Sequence, residues 1–154
     1  SVCLHQGVSQ PRHFHHCAGR LSVKKKTAAH IRLGREGERL ARRFLEFTLG
    51  YELIEHNLKL HSAEIDLLMR DGKTFVLVEV KSTRWRGEEY HPGLHYTTEQ
   101  QIRQRRAVHE LERKFGTREF PFRHDLVEVF FGRYFPIRIH HVPDYFNRRV
   151  FQSS

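Results

Sequence analysis

Apolar and polar positions alternate regularly from Gly34 onward and predict two helices. A stripe of residues at helical spacing predicts a first helix that ends at Gly50. The stripe consists of Leu40, Ala41, Phe44, Leu45 and Thr48. A second helical stripe comprises Gln104, Val108, Leu111 and Phe115. We expect this second helix to open with a capping box of Thr98 and Gln101 and to end at Gly116.

Five shorter apolar segments predict strands, at residues 51–58, 65–69, 74–80, 126–131 and 134–141. Asp71-Gly72 predicts a hairpin between the second and third strands, and Gly132 predicts another between the fourth and fifth. Residues 83–96 are polar, contain glycine and proline, and predict a mobile loop. The order α-β-β-β-α-β-β predicts the α/β fold class, with a mixed β-sheet flanked by helices.

The positive charge of the chain is unevenly distributed. The 154 residues carry 27 Lys and Arg against 18 Asp and Glu, a formal net charge of +9. Residues 1–33 hold six basic residues and no acid. In the remaining chain, basic residues outnumber acidic residues only slightly. We therefore predict a basic, flexible N-terminal extension over residues 1–33 and one domain over residues 34–154. The charge favours a polyanionic partner, although ribosomal, chromatin and membrane-surface proteins share it.

Other features of the composition predict the cellular compartment. The longest apolar runs, such as residues 75–78, are far shorter than the roughly 18 residues of a membrane span. No apolar segment of the kind that a secretory signal needs follows the basic N-terminus. Cys3 and Cys17 both lie near the N-terminus, where they cannot staple the fold, and they indicate a reducing compartment. We expect a cytoplasmic protein that makes no membrane contact.

Acidic residues concentrate on the predicted hairpin. Because strand residues two apart point to the same face, Glu64 shares a face with Asp66, and Glu79 shares one with Lys81. A hairpin closed on Asp71-Gly72 places Glu64 opposite Glu79 and Asp66 diagonally across from Glu79. Three carboxylates and one amine are thus predicted to converge on one patch.

Such an arrangement requires compensation, because like charges on facing strands repel each other. The compensation is a bound cation, Lys81, or a raised pKa of one carboxyl group. Mg²⁺ provides it most simply, since one or two carboxylates, waters and substrate phosphates hold this ion. The alternative is an exposed rim on which Glu64 and Glu79 pair with arginines. Glu38 lies at the edge of the first helical stripe and could reach the patch, although the helix dipole alone also favours it there.

Several motifs resemble those of the YraN-like family of uncharacterised bacterial proteins. They are GREGE at 34–38, AEIDLL at 63–68 and VEVK at 78–81, and the resemblance covers residues 34–142. The family is related to archaeal Holliday junction resolvases within the restriction-endonuclease-like PD-(D/E)XK nuclease superfamily. The resemblance implies a restriction-endonuclease-like core, a hydrolase dependent on Mg²⁺ or Mn²⁺, a DNA partner and a possible homodimer. The family usually has Gly where this chain has Ala63.

The resemblance also implies roles for individual residues. Asp66 and Glu79 would bind the metal together with the backbone carbonyl of Val80, and Lys81 would position or activate the attacking water. Two further carboxylates and one amide would complete the catalytic set. Glu38 matches a helix carboxylate of resolvase-like members, Glu64 would support the metal-binding acids, and Gln100 replaces a common Lys and could orient a phosphate or water.

Basic residues near this patch are candidates for nucleic-acid contacts. Arg84, Trp85 and Arg86 follow Lys81, and an aromatic residue between two arginines suits base stacking and phosphate contact. A Trp85 folded onto the edge of the sheet is an equal alternative. On the second helix, Arg103 and Arg106 are predicted to contact phosphates, although a solvated face is the default for such residues.

Three classes of function remain open at this point. The first is an endonuclease-like phosphodiesterase that acts on branched or single-stranded DNA. The second is a non-catalytic nucleic-acid-binding module that retains the nuclease fold. The third is a basic protein associated with RNA or the ribosome. Asp125 is expected to cap or pair with a nearby arginine rather than to bind metal.

Overall fold

The computed structural model describes residues 27–86, 97–116, 119–133 and 137–146. Its elements are α1 (Ala28–Leu49), β1 (Glu52–Lys59), β2 (Glu64–Asp71), β3 (Thr74–Arg84), α2 (Thr98–Phe115), β4 (Phe122–Phe131) and β5 (Arg138–Val142). This order confirms the predicted α/β class. Residues 1–26 of the predicted extension lie outside the described residues, as do the predicted loop residues 87–96 and residues 134–136 of the predicted fifth strand.

Helix α1 begins at Ala28, earlier than the regular pattern that starts at Gly34. Thr27 caps it, since its Oγ1 accepts the His30 N–H at 3.3 Å. Helix α2 also differs from prediction, because its capping box consists of Thr97 and Gln100 and lies one residue before the predicted pair. Both helices end at the predicted glycines, Gly50 and Gly116, in the left-handed conformation. No helix in the described ranges is long and apolar enough to cross a membrane.

The five strands form one mixed sheet in the order β1-β2-β3-β4-β5. β3 and β4 are parallel, and the other neighbours are antiparallel. Because parallel neighbours need a crossover, α2 connects β3 to β4. β3 is the central strand and extends to Arg84, beyond its predicted end at Val80. Its central position and apolar faces confirm that it is covered on both sides.

Each face of the sheet packs against one helix. Ala41 and Leu45 of α1 pack on one face in a cluster with Leu67, Met69, Val76, Val78, Val127 and Val129. Ala107 and Leu111 of α2 pack on the other face in a cluster with Leu58, Ile65, Leu68 and Leu77. The two helices therefore cover the central strands from both faces. Thr48 of the predicted first stripe is exposed.

The β2–β3 hairpin forms as predicted, but its register is shifted by two residues. Asp71 pairs with Thr74, so the two loop residues are Gly72 and Lys73 rather than Asp71 and Gly72. Gly72 has φ +58°, which matches a type II′ turn with glycine at the first loop position. A loop of Asp71 and Gly72 would instead need a positive φ at Asp71, and a non-glycine residue adopts that conformation less readily.

Helix α1 approaches β3 most closely at Gly37. A Cβ on Gly37 would lie 1.7 Å from Ser82 Oγ and 2.8 Å from Ser82 Cβ. We therefore expect Gly37→Ala to push α1 away from the sheet and to lower the free energy of unfolding by about 1–3 kcal/mol. Gly34→Ala is the matched control one turn earlier, because nothing lies within 4 Å of its Cβ position. Alanine there should stabilise the helix by about 0.5–1 kcal/mol.

Urea denaturation of both variants measures this difference directly. Equal stabilities of the Gly37→Ala and Gly34→Ala proteins would contradict the close approach of α1 to Ser82.

Candidate functional site

The site is built where β2 departs from regular alternation. Ile65 and Leu68 both belong to the cluster beneath α2, whereas Leu67 and Met69 belong to the cluster beneath α1. The strict alternation that predicted Glu64 and Asp66 on one face therefore breaks between Ile65 and Leu67. The residue aligned with Asp66 on β1 is Asn57, which adopts φ 51°. Left-handed backbone is uncommon outside glycine, and such conformations cluster at functional sites.

Asp66 lies at the point where the β2–β3 ladder ends. The observed Cα pairs run from Asp71 and Thr74 to Leu67 and Val78. Beyond them, Asp66 Oδ2 accepts the main-chain N–H of Val80 at 2.7 Å. One more step of this register places Asp66 opposite Glu79. The predicted pairing of Glu64 with Glu79 is therefore wrong, because the two-residue loop lies one residue later in the chain and shifts every pairing partner by two.

The environment of Asp66 opposes its charge. Burial, and then repulsion from Glu79 and Glu38, raises the pKa of Asp66 to about 7, although the hydrogen bond from Val80 and the charge of Lys81 act in the opposite direction. On Glu79, the Oε1 atom accepts a hydrogen bond from Lys81 Nζ. Two of the predicted compensating devices, the lysine and the raised pKa, are therefore present together.

Glu38 comes to the same patch from α1. Burial raises the pKa of Glu38, repulsion from Glu64 adds to this, and a hydrogen bond with Asn57 opposes it. A favourable interaction with the helix dipole does not require Glu38 to hydrogen-bond to a residue of β1. The structure thus brings Glu38, Glu64, Asp66 and Glu79 within electrostatic reach of one another.

A cleft of about 150 Å³ opens on the α2 side of these acids. It is lined by Ala63, Glu64, Glu79, Gln100, Arg103 and Gln104. Gln100 Oε1 accepts the N–H of Thr97 at 2.8 Å, so the side-chain carbonyl caps α2 and the amide NH₂ is the group that could donate to a phosphate. Arg103 is exposed at the rim of the cleft. Both residues therefore lie where the sequence placed them, beside the acids.

The remaining predicted nucleic-acid contacts differ in their geometry. Arg84 ends β3 instead of lying in a loop, and Arg84, Arg86 and Arg106 are exposed. Trp85 packs edge-on against Phe130, with 5.5 Å between ring centroids, and the Arg138 guanidinium lies 4.9 Å from its ring. This geometry matches the alternative in which Trp85 folds onto the sheet edge, because one edge and one face of the ring already have partners.

The donor atoms of the site suit a hard divalent cation. Asp66 and Glu79 offer carboxylate oxygens in a place where burial, and then their mutual repulsion, raises the pKa of Asp66. Among the described residues, no three His, Cys, Asp or Glu side chains form a preformed metal-binding group. Mg²⁺ does not require one, because it is commonly held by one or two carboxylates with waters completing its shell. The residues present therefore fit this ion.

Sequence reasoning missed Glu128, whose exposed fraction is 1% in the middle of β4. It is aligned with Lys81 on β3 and with His140 on β5, and its Oε2 lies 2.9 Å from His140 Nδ1. The signal was an acid within the apolar segment 126–131, since a buried Glu is rare unless it is paired. Asp125, in contrast, pairs with Arg123 at 2.8 Å as expected.

His124 predicts a pH dependence of stability. Burial lowers the pKa of His124 to about 4; Arg105 also lowers it, while a hydrogen bond from the ring to the main-chain carbonyl of Gln104 and the charges of Asp125 and Asp144 oppose the shift. The unfolded chain binds a proton near pH 6.5, so this contribution to stability is complete above that pH. It should be lost as the pH falls towards 4, by about 3 kcal/mol in total.

The His124→Gln variant should lack this dependence. We expect its stability relative to the wild type to rise between pH 7.5 and pH 4.5 in urea denaturation. His109→Gln is the control, because 76% of its side chain is exposed. A constant difference between wild type and His124→Gln across this range would refute the assignment.

Comparison with known proteins adds evidence from outside the structure. The profile of "Uncharacterised protein family UPF0102" matches residues 37–129. The UPF0102 protein STH1475 of Symbiobacterium thermophilum is 39% identical over 99 residues, which are 64% of this chain and 81% of that protein. The UPF0102 protein Lxx14785 of Leifsonia xyli is 39% identical over 111 residues, 72% of this chain and 92% of that protein. A UPF0102 protein of Geobacter metallireducens is 36% identical over 114 residues, 74% and 91% of the two chains.

Proposed function

The chain belongs to the UPF0102 family, the YraN family that its motifs resemble, and on this premise we propose that it is a metal-dependent nucleic-acid phosphodiesterase. We further propose that it belongs to the PD-(D/E)XK nuclease superfamily and cleaves branched or single-stranded DNA. The observation that carries this proposal is the meeting of Asp66, Glu79 and Lys81 at the end of the β2–β3 ladder.

The arrangement supports hydrolysis for an energetic reason. Repulsive carboxylates beside a buried strand end destabilise the protein, and the acceptor that Asp66 offers to the Val80 N–H does not need a charge. A site that tolerates this cost is a candidate for catalysis. Asp66 and Glu79 would hold Mg²⁺ or Mn²⁺, with Val80 as the further ligand that the resemblance implies. When bound, such an ion polarises a phosphate oxygen and lowers the pKa of a coordinated water.

The protein's own groups would perform the remaining tasks. Lys81, which is half-buried beside Glu79, would orient the attacking water and stabilise the charge that develops on phosphorus. Gln100 would use its amide NH₂ to hold a phosphate oxygen, since its carbonyl caps α2. Glu38 and Glu64 would fix the waters around the acids. Arg103 would contact the backbone of the nucleic acid at the rim of the cleft.

A cleavage assay tests the proposal. The purified protein is incubated with Mg²⁺ or Mn²⁺ and with four labelled DNAs, namely a four-way junction, a flap, a single strand and a duplex. We expect metal-dependent cleavage of the junction, flap or single strand in preference to the duplex. Absence of cleavage of all four DNAs with either ion would overturn it.

The ion pair between Lys81 and Glu79 also favours a second candidate, a non-catalytic nucleic-acid-binding module. In that case Lys81 permanently replaces the metal and the fold serves binding alone. Isothermal titration calorimetry separates the two candidates. Mn²⁺ binding that disappears in Glu79→Gln supports the enzyme, whereas DNA binding without any metal binding supports the module.

A further inference from the structure

A second, larger groove lies on the α1 side of the acid patch. Its volume is about 270 Å³, and it runs between α1 and β1 over Leu67. Three arginines of α1 form one wall, and His56 and Asn57 of β1 form the other. Glu38 lies within the groove as well, so the groove begins at the acid patch itself. We call it the α1 groove.

The three arginines, Arg35, Arg39 and Arg42, lie along one side of the helix. Their spacing of four and three residues places them one above the other on adjacent turns. Their surface is accessible, since 51% of the Arg39 side chain and 43% of the Arg42 side chain are exposed. A row of arginines can contact successive phosphates of a nucleic-acid strand, because the arginines and the phosphates are both spaced along a line.

The acids near this row leave it available to a polyanion. Arg39 pairs with Glu36 at 2.5 Å, and Arg42 pairs with Glu46 at 3.1 Å. Both pairs lie within the helix at the protein surface, where water screens the charges and such pairs contribute little to stability. A phosphate can therefore replace each carboxylate at little cost. Glu38 is the acid within the groove, and it faces Asn57 and the acid patch.

A specific hydrogen bond connects the two walls of the α1 groove. Asn57 holds a left-handed conformation, with φ 51°, and hydrogen-bonds to Glu38 across the groove. This contact ties the β1 wall of the α1 groove to the acids that lie between the groove and the cleft on the α2 side. A strand crossing the acid patch would have Arg103 on one side and the α1 arginines on the other.

We propose that the α1 groove binds the phosphodiester backbone of the nucleic acid that the protein cleaves, an inference that rests on the proposed function. The occupant is a nucleic-acid strand, held through its phosphates and not its bases. This surface is separate from Arg84 and Arg86, which lie at the end of β3.

Binding experiments test the inference independently of cleavage. Fluorescence anisotropy of a labelled single strand and a labelled junction is measured in EDTA, so that no cleavage occurs. The test variant is Arg35→Gln/Arg39→Gln, and the control is Arg32→Gln/Arg43→Gln. The control removes the same charge from the same helix, and neither of its arginines lines the groove.

We expect the test variant to bind about tenfold more weakly at low salt, with the slope of log affinity against log salt reduced by roughly 1.4–1.8. The control variant should change the affinity and the salt slope much less. Equal effects of the two variants would overturn the inference, since they would show a non-specific charge effect. Competition by poly-glutamate as effective as that by unlabelled DNA would also overturn it, in favour of an acidic protein partner. Loss of binding only in the test variant, in a protein that cleaves no DNA, would support the groove and reject the nuclease.

Discussion

Asp66→Asn is expected to abolish cleavage while making the metal-free protein more stable. The loss of activity follows because an amide cannot replace a carboxylate as a charged ligand for Mg²⁺, and we expect a fall of at least about 10³-fold. The gain in stability follows because the buried Asp66 repels Glu79 and Glu38. Asparagine keeps the acceptor for the Val80 N–H and removes the charge.

The size of the gain follows from the raised pKa of Asp66, about 7 in the folded protein. The unfolded carboxyl ionises near pH 3.9, so the penalty is fully present above pH 7 and disappears below about pH 4. We expect a gain on the order of 2–4 kcal/mol at pH 8 and almost none at pH 4, measured by urea denaturation in EDTA.

Glu55→Gln is the matched control for this experiment. It removes one carboxylate from an exposed position on β1, where the nearest cation is Lys114 at 3.9 Å. The free energy of unfolding should change by no more than about 0.5 kcal/mol, and the cleavage rate should stay close to that of the wild type. Lower stability of Asp66→Asn at pH 8 would show that the charge of Asp66 supports the fold, and the functional interpretation of its burial would then fail.

Apolar periodicity was sufficient to predict the arrangement of elements around the site. The stripes of both helices and the runs 65–69 and 74–80 reflect burial against the sheet, and burial is the main force that orders these segments. The motif acids Asp66 and Glu79 were found in the same way, since charged residues interrupt segments that are otherwise apolar. Their separation along the chain and the hairpin between them were enough to predict that they meet.

The register of the hairpin could not be predicted from alternation. A shift of two residues keeps every side chain on its own face, so loops at Asp71-Gly72 and at Gly72-Lys73 satisfy the same pattern. The backbone conformation at Asp71 distinguishes the two loops, because Asp71 is not among the non-glycine residues with a positive φ in the described part of the chain. The choice matters for the site, because one register places Glu64 opposite Glu79 and the other places Asp66 there.

Long-range packing determined the other features that sequence reasoning missed. Glu128 is buried because β4 lies between β3 and β5, and this position depends on the crossover through α2. The break in alternation at Asp66 accompanies the left-handed Asn57 on the neighbouring strand. Trp85 finds Phe130 only because β3 continues beyond its predicted end. No local pattern of residues contains this information.

Lys81→Gln is expected to change metal affinity and cleavage in opposite directions. Lys81 Nζ donates a hydrogen bond to Glu79 Oε1, so the ammonium occupies a carboxylate that the metal needs. The substitution frees this oxygen, and it removes a positive charge that repels the ion. We expect Mn²⁺ to bind about three- to tenfold more tightly in calorimetry. Cleavage should fall by about 10²–10³-fold, because no group then orients the water or stabilises the developing charge.

Two controls separate this effect from a general loss of positive charge. Lys59→Gln removes a charge at the exposed end of β1 and should leave both quantities unchanged. Lys81→Arg keeps the charge and should keep the weaker metal affinity of the wild type. If Lys81→Gln instead weakens Mn²⁺ binding, Lys81 supports the metal site and does not compete for it. If metal affinity rises and cleavage persists, the competition is real but another group activates the water, and Glu38 becomes the candidate because it shares the patch with Asp66.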